Sequence, residues 1–206
     1  MPFPYEEFDL SGIRTYPLKS RVSRTRAEDF ARPYRRGSGV TGLIESLPSI
    51  LAARDFRAVV RAVADARSCG AGVVWGFGAH VIKTGLSPVL VDLMERGFVS
   101  ALATNGAGLI HDFEIALCGA TSEDVEAALG SGGFGMADET GRLLNGAINE
   151  GVAAGLGIGQ AVGRYVCEHH PQYERSSVAA AAHRLGIPLT VHVALGTDII
   201  HMHPAA

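Results

Sequence analysis

Residues 72–108 read GVVWGFGAHVIKTGLSPVLVDLMERGFVSALATNGAG, and this stretch decides the fold. Its first five residues are apolar or glycine without alternation, which is typical of a strand buried on both faces of a parallel sheet. A turn with glycines follows, and then Ser87 and Pro88 predict a helix, with Ser87 as its cap and Pro88 at its first position. A second strand at residues 98–104 leads into another turn and another helix. The repeat predicts parallel strands joined by helical crossovers.

The rest of the chain continues this pattern. Apolar residues three and four apart predict two helices between Thr41 and Ala64, and residues 139–169 predict one long helix or two. Small residues four apart in that segment indicate close helix packing. Ser176 begins an alanine-rich helix that ends at Gly186, and residues 187–195 form a further strand.

The predicted fold class is therefore α/β, with an open, mostly parallel, doubly wound, Rossmann-like sheet and helices on both faces. Residues 1–38, punctuated by prolines, are expected to form an N-terminal arm. Residues 39–206 are expected to form one α/β domain of the nucleotide-binding type. Because the arm and the small-residue helix need partners to cover them, we expect a homo-oligomer.

Composition excludes several classes of function. A net charge of −3 and a pI near 6.2 provide no basic surface for nucleic acid. The sequence has no apolar run long enough to cross a membrane. Cys69, Cys118 and Cys167 are odd in number and form no CxxC pair, which favours a reducing, cytoplasmic location.

Ligands of doubly wound sheets bind beyond the carboxyl ends of the strands, so the turns there hold the candidate site residues. In the first turn, residues 76–85, Gly76 and Gly78 would let the backbone approach a phosphate or ribose. Lys83 could pair with a phosphate or a carboxylate, and His80 is a candidate for catalysis. Alternatively, Lys83 is an exposed loop lysine and His80 a structural histidine.

The second turn, residues 104–108, combines a hydroxyl, an amide and two glycines. His111 follows it and would suit proton transfer. Asp112 would either contribute to the site or stabilise the start of the next helix. The candidate residues of this turn are Thr104, Asn105, Gly106, Ala107, Gly108, His111 and Asp112.

The third turn, residues 196–198, lies in the densest polar cluster of the sequence. Asp198 is a candidate catalytic residue. Histidine and aspartate are ordinary zinc ligands, so a metal site is an alternative. The metal set would be His192, Asp198, His201 and His203.

At these turns the chain resembles the deoxyhypusine synthase family. The resemblance is carried by GFGAHVIKTGLSPVLVDLMERGFVSALATNGAGLIHDFEIAL and, more weakly, by IPLTVHVALGTDIIHMHP, and it spans about residues 72–204. It implies a tetrameric enzyme that uses NAD to oxidise a polyamine and transfers an aminobutyl group. It places Gly78, Ala79, His80, Thr84 and Gly85 on the family's first NAD turn, Thr104–Gly108 and Asp112 on the second, and matches Asp198 to a later aspartate.

The chain departs from that family at several positions. Ala79-His80 and Lys83-Thr84 stand where the family has Ser-Asn and Ser-Ser, and Ile110-His111 replace acids. No lysine follows Lys83, although the family's imine-forming lysine lies beyond its Thr-Asp segment. We therefore expect either a fragment of a longer protein, which the ending directly after a strand-end turn favours, or a divergent relative that does not perform the full reaction.

Three functional hypotheses follow from the sequence. The first is a deoxyhypusine synthase-like, NAD-dependent transferase acting on a polyamine or related small-molecule amine. The second is a metal-assisted hydrolase or lyase that uses the third-turn cluster. The third is a non-catalytic, nucleotide-binding subunit, because a fold does not fix a function.

Overall fold

A computed structural model describes residue 5 and residues 8–130 and 132–206. The chain divides into two compact units, residues 1–61 and residues 62–206. The predicted arm, residues 1–38, falls inside the first unit. Within the described residues, no helix is long and apolar enough to span a membrane.

The first unit contains two short 3₁₀ turns, Leu18–Ser20 and Ala27–Asp29, helix α1 (Gly39–Ser46) and most of helix α2 (Leu51–Cys69). The Arg57 guanidinium joins the two helices. It donates hydrogen bonds to the carbonyls of Ile44, Leu47 and Pro48, which lie at and beyond the end of α1. The last carbonyls of a helix lack the usual intrahelical partners, and a guanidinium supplies several donors at once. The Ile44 carbonyl also accepts a hydrogen bond from the Leu47 amide.

The second unit holds a three-stranded sheet and seven α-helices among its described residues. The strands are β1 (Val74–Phe77), β2 (Ala101–Asn105) and β3 (Leu189–His192). The helices are α3 (Ala79–Lys83), α4 (Ser87–Glu95), α5 (Gly106–Cys118), α6 (Val125–Leu129), α7 (Asp138–Ala153), α8 (Ile158–His169) and α9 (Val178–Leu185), with 3₁₀ turns at Glu174–Ser176 and Ile199–Met202.

The sheet is open and parallel, and its strand order is β1-β2-β3. Trp75, Leu102 and Leu189 stand in register across it and belong to the hydrophobic core or pack against it. The alternate residues do not: Val74 is 69% exposed, and Thr190 and His192 are also exposed.

Among residues 62–206, the buried side chains of the sheet therefore lie on one face, not on both as predicted. The strand order explains the difference. Right-handed crossovers between strands laid down in sequence place their helices on the same face. For the same reason, the described strands contain no point at which the strand order reverses.

The predicted α/β class with parallel strands is confirmed, and several local predictions need correction. Leu86 rather than Ser87 is the cap of α4, and Pro88 is its second residue. Residues 106–108 are the first turn of α5, not a separate turn. Ser177 rather than Ser176 caps α9, by accepting a hydrogen bond from the Ala180 amide.

Small residues let α7, α8 and α9 approach one another closely, as the sequence predicts. A Cβ atom at Gly151 would stand 2.1 Å from the Ala161 Cβ. One at Gly163 would stand 2.4 Å from the Ala179 carbonyl oxygen and 2.9 Å from the His183 Cβ. These distances are far below van der Waals contact, so the positions admit only glycine without a shift of the backbone.

We expect Gly163→Ala to lower the free energy of unfolding by about 1–3 kcal/mol, because the added methyl group overpacks the contact between α8 and α9. The matched control is Gly146→Ala in α7, where a Cβ atom would meet nothing within 4 Å. That variant should be stabilised by roughly 0.5–1 kcal/mol, because alanine favours a helix. Urea unfolding of both variants measures the difference, and equal effects would contradict this account of the packing.

Candidate active site

A cavity of about 620 Å³, called the α5 cavity here, is lined by one face of α5, by the segment between α5 and α6, by the start of α7 and by the turn that follows β3. Helix α5 contributes His111 and Glu114, spaced three apart and therefore on the same face. The segment after β3 contributes Asp198, and the end of α3 contributes Lys83. Three predicted catalytic residues, Lys83, His111 and Asp198, thus line one cavity.

A hydrogen-bonded chain of three side chains forms part of the cavity wall. The His111 Nδ1 atom lies 2.5 Å from the Thr121 Oγ1 atom, and the Thr121 hydroxyl donates to the Glu114 Oε2 atom. The Thr140 hydroxyl, from the first turn of α7, donates to Glu114 Oε1 at 3.0 Å. Both carboxylate oxygens of Glu114 are thereby fixed.

These contacts set the charge of Glu114. Burial raises the pKa of its carboxyl group, but the His111 ring, whose Nδ1 atom lies 3.6 Å from Glu114 Oε2, and the hydrogen bonds from Thr121 and Thr140 outweigh burial and hold the pKa below its ordinary value. Glu114 is therefore ionised at neutral pH. An ionised carboxylate can accept hydrogen bonds but cannot donate one.

Asp198 lies against Gly106, where the segments that follow β2 and β3 meet. Asp198 is 9% exposed, and its Oδ2 atom accepts a hydrogen bond of 3.0 Å from the Ala194 amide. A Cβ atom at Gly106, the first residue of α5, would stand 2.0 Å from that same oxygen. Any larger residue at position 106 would displace the carboxylate.

Other residues of the second turn have structural contacts. The Thr104 hydroxyl donates to the Phe77 carbonyl at 2.9 Å, between β2 and β1. Asn105 caps α5, since its Oδ1 atom accepts a hydrogen bond of 2.8 Å from the Gly108 amide. A Cβ atom at Gly108 would stand 2.2 Å from Thr104 Oγ1, so protein atoms already occupy the space beside that glycine. Ala107 lines the α5 cavity.

Asp112 is buried inside the fold, among atoms of α9. Its carboxylate accepts three hydrogen bonds, from the Ser177 hydroxyl at 2.7 Å, the Val178 amide at 2.7 Å and the Ala179 amide at 3.0 Å. The amides are the free donors of the α9 N-terminus. Burial nevertheless raises the pKa of Asp112, against these hydrogen bonds. The sequence left Asp112 either as a site residue or as a residue that stabilises the start of α5. In the structure it stabilises the start of a helix, but that helix is α9.

Half of the first turn, residues 76–85, is helical. Ala79–Lys83 forms α3, and the Thr84 hydroxyl donates to the His80 carbonyl at 2.7 Å. His80 is exposed and, unlike Lys83, does not line the α5 cavity. A Cβ atom would meet nothing within 4 Å at Gly76 or Gly85, and only the Asn105 side chain, at 3.7 Å, at Gly78.

The predicted metal ligands do not come together. His192 contacts Thr190 through Nε2, and His203 lies 3.7 Å from Asp138. The Nδ1 atom of His201 is buried without a hydrogen bond. Among residue 5 and residues 8–130 and 132–206, no group of three or more histidine, cysteine, aspartate or glutamate side chains could hold a metal ion. The metal site predicted at His192, Asp198, His201 and His203 is therefore not formed.

Sequence reasoning missed Glu114, Thr121 and Thr140. The spacing of His111 and Glu114 on a predicted helix was a usable signal, since residues three apart share a face. Thr121 and Thr140 do not follow a strand: Thr121 lies between α5 and α6, and Thr140 is in the first turn of α7. Nothing in their local sequence indicates that they contact Glu114.

Comparisons with known proteins identify no family for this chain. No protein-family model matches it, and no curated protein matches it at a significant level. Among solved structures, one match is apo ArgZ, an arginine dihydrolase from the ornithine–ammonia cycle in cyanobacteria, with 20% identity and a TM-score of 0.48. The match covers 72% of this chain and 20% of that protein, so the chain spans about a fifth of its length.

The predicted membership of the deoxyhypusine synthase family is wrong on these findings. No model of that family matches, and the solved structure described above is a dihydrolase, not an NAD-dependent transferase. The predicted NAD-dependent transferase function and its polyamine substrate are wrong with it. NAD binding, the tetramer that the resemblance implied and the individual NAD contacts stay untested predictions.

The buried cap at Asp112 provides a test of the fold. We expect Asp112→Asn to lower the free energy of unfolding by about 2 kcal/mol, because the new amide group faces donors and leaves at least one without an acceptor. Asp92→Asn is the control, since Asp92 forms an exposed ion pair with Arg96 and its loss should change stability by at most about 1 kcal/mol. Guanidinium unfolding measures both, and equal losses would contradict the cap.

The lowered pKa of Glu114 predicts a dependence of stability on pH. The folded state holds this carboxylate ionised more strongly than the unfolded chain does, so the stabilisation is complete above the ordinary glutamate pKa of about 4.3 and is lost as pH falls through the folded value. The difference in unfolding free energy between wild type and Glu114→Gln should thus shrink as pH falls below about 4.3. Thr140→Val, which removes one donor, should make the loss begin at higher pH. A difference that grew over this acid range would contradict the prediction.

Proposed function

We propose that this chain is an enzyme of the hydrolase or lyase type, in which His111 acts as a general base on a small molecule bound in the α5 cavity. The observation that carries the proposal is the pair of hydrogen bonds that connects Glu114 through the Thr121 hydroxyl to the His111 ring. It supports a base at one particular atom of the histidine ring.

The hydrogen bonds decide which ring nitrogen of His111 carries the proton. The Thr121 hydroxyl has one hydrogen, and the ionised Glu114 can only accept it. The Thr121 oxygen must then accept from His111, so in the neutral ring the proton is assigned to Nδ1. The lone pair is left on Nε2, which makes no hydrogen bond within the described residues. This arrangement is the one that a general base requires.

Glu114 and Thr121 are positioning residues, since they act through His111. A base of this kind serves water activation in hydrolysis and proton abstraction in elimination equally well, which is why the proposal covers both reaction types. Lys83, the one lysine that lines the cavity, is placed to bind or protonate an oxygen of the reacting molecule. His80 has no part in this proposal.

The test incubates the purified chain with a mixed metabolite extract and follows consumed compounds by mass spectrometry. His111→Asn should slow the consumption of any substrate by about 10²–10⁴-fold, the usual contribution of a general base. Thr121→Val should lower kcat because the ring loses its orientation, and Thr121→Ser should restore activity because it keeps the hydroxyl group. His183→Asn, at an exposed histidine on α9, is the control.

A second measurement examines the ring directly. Nitrogen NMR of the imidazole groups should show His111 in the Nδ1–H form in wild type, and as a mixture of both neutral forms in Thr121→Val. Consumption of no compound by the wild type, or full activity of His111→Asn, would disprove the proposal.

A further inference from the structure

Asp198 is the most deeply buried carboxylate that lines the α5 cavity. It is 9% exposed, and its single hydrogen bond in the described structure is the one that Oδ2 accepts from the Ala194 amide. Its Oδ1 atom makes none, and Asp198 forms no ion pair with any described lysine, arginine or histidine. The Oδ1 atom is therefore free to accept a hydrogen bond from a molecule in the cavity.

The fold holds this carboxylate in place. Gly106 leaves room for Asp198 Oδ2 at the first residue of α5, where any Cβ atom would collide with it. The N-terminus of a 13-residue helix carries a partial positive charge, which attracts a carboxylate placed there. Asp198 is therefore a fixed carboxylate with one free oxygen at the cavity wall.

The two glutamates of the cavity have other surroundings. Both carboxylate oxygens of Glu114 accept hydrogen bonds from threonine hydroxyls, and Glu123, which accepts one of 2.8 Å from the Gly135 amide, is exposed to solvent. Lys83 is exposed and forms no ion pair within the described part of the chain. Much of the remaining wall is apolar, with Ile110, Val125, Phe134 and Ile199. The cavity thus combines one fixed, buried carboxylate with apolar side chains.

From these contacts we propose that the α5 cavity binds a small molecule with a cationic nitrogen on an apolar stem, and that Asp198 binds the nitrogen. An ammonium or guanidinium group supplies both the charge and the donor that Asp198 Oδ1 lacks. The stem would lie against the apolar wall. The inference rests on the proposed function in that it describes the substrate of the same cavity, and it assigns to Asp198 the role of binding the substrate.

The test compares three probes of equal chain length, n-butylammonium, n-butanol and butyrate, by NMR titration of the full chain. Wild type should bind n-butylammonium at least about tenfold more tightly than n-butanol, and butyrate more weakly than either. The Ala194 amide resonance should shift with n-butylammonium, because its hydrogen-bond partner is Asp198. Asp198→Asn should lose the preference over n-butanol, and the exposed Asp92→Asn should keep it.

The comparison of the three probes in wild type requires no variant, so it remains decisive if Asp198→Asn does not fold. Saturable binding of none of the probes, equal binding of n-butylammonium and n-butanol, or tighter binding of butyrate would overturn the inference. So would an unchanged preference in folded Asp198→Asn.

His111→Asn should bind n-butylammonium as wild type does, because the base does not contact the cation. Binding that persists when no compound is turned over would leave this inference standing while the proposed function fails. Turnover without a preference for the cation would do the reverse.

Discussion

The buried carboxylate of Asp112 is the interaction on which the rest of the second unit depends. It lies in α5, directly after the central strand, and it accepts the two free amides and the serine hydroxyl at the start of α9. Helix α9 in turn leads into β3. Together with the backbone pairing of β2 and β3, this side chain therefore fixes the third strand against the second, and with it the segment that carries Asp198 to the cavity.

Asp112, Glu114 and Asp198 show how environment separates the roles of chemically similar groups. Asp112 is closed off from water and serves only the packing of two helices. Glu114 is held by hydroxyl groups from two other segments and controls the ring of His111. Asp198 keeps one oxygen without a protein partner. The difference lies in which donors the fold brings to each carboxylate, not in the carboxylates themselves.

Local sequence predicted the elements well where propensity and pattern decide them. Strands β1 and β2, helices α4 and α5 and the close packing at Gly151 and Gly163 follow from residue pattern and spacing. The placement of Lys83, His111 and Asp198 around one cavity follows from their positions after the strands. Helix α3 was not predicted. Local sequence could not show that the buried side chains of the sheet lie on one face only. That depends on the order of the strands, which local sequence does not determine. The partners of Glu114 and Asp112 could not be predicted either, since Thr140 and Ser177 lie far from them in sequence.

The contact between Gly106 and Asp198 restricts which substitutions these two positions can accept during evolution. The two positions are 92 residues apart in sequence and cannot change independently, because a methyl group at the first displaces the carboxylate of the second. Homologues that have lost the carboxylate are free to gain a side chain at the glycine, while those that retain it are not. Correlated substitution of this pair would therefore divide related sequences into two groups, one with an anionic site at the end of β3 and one without.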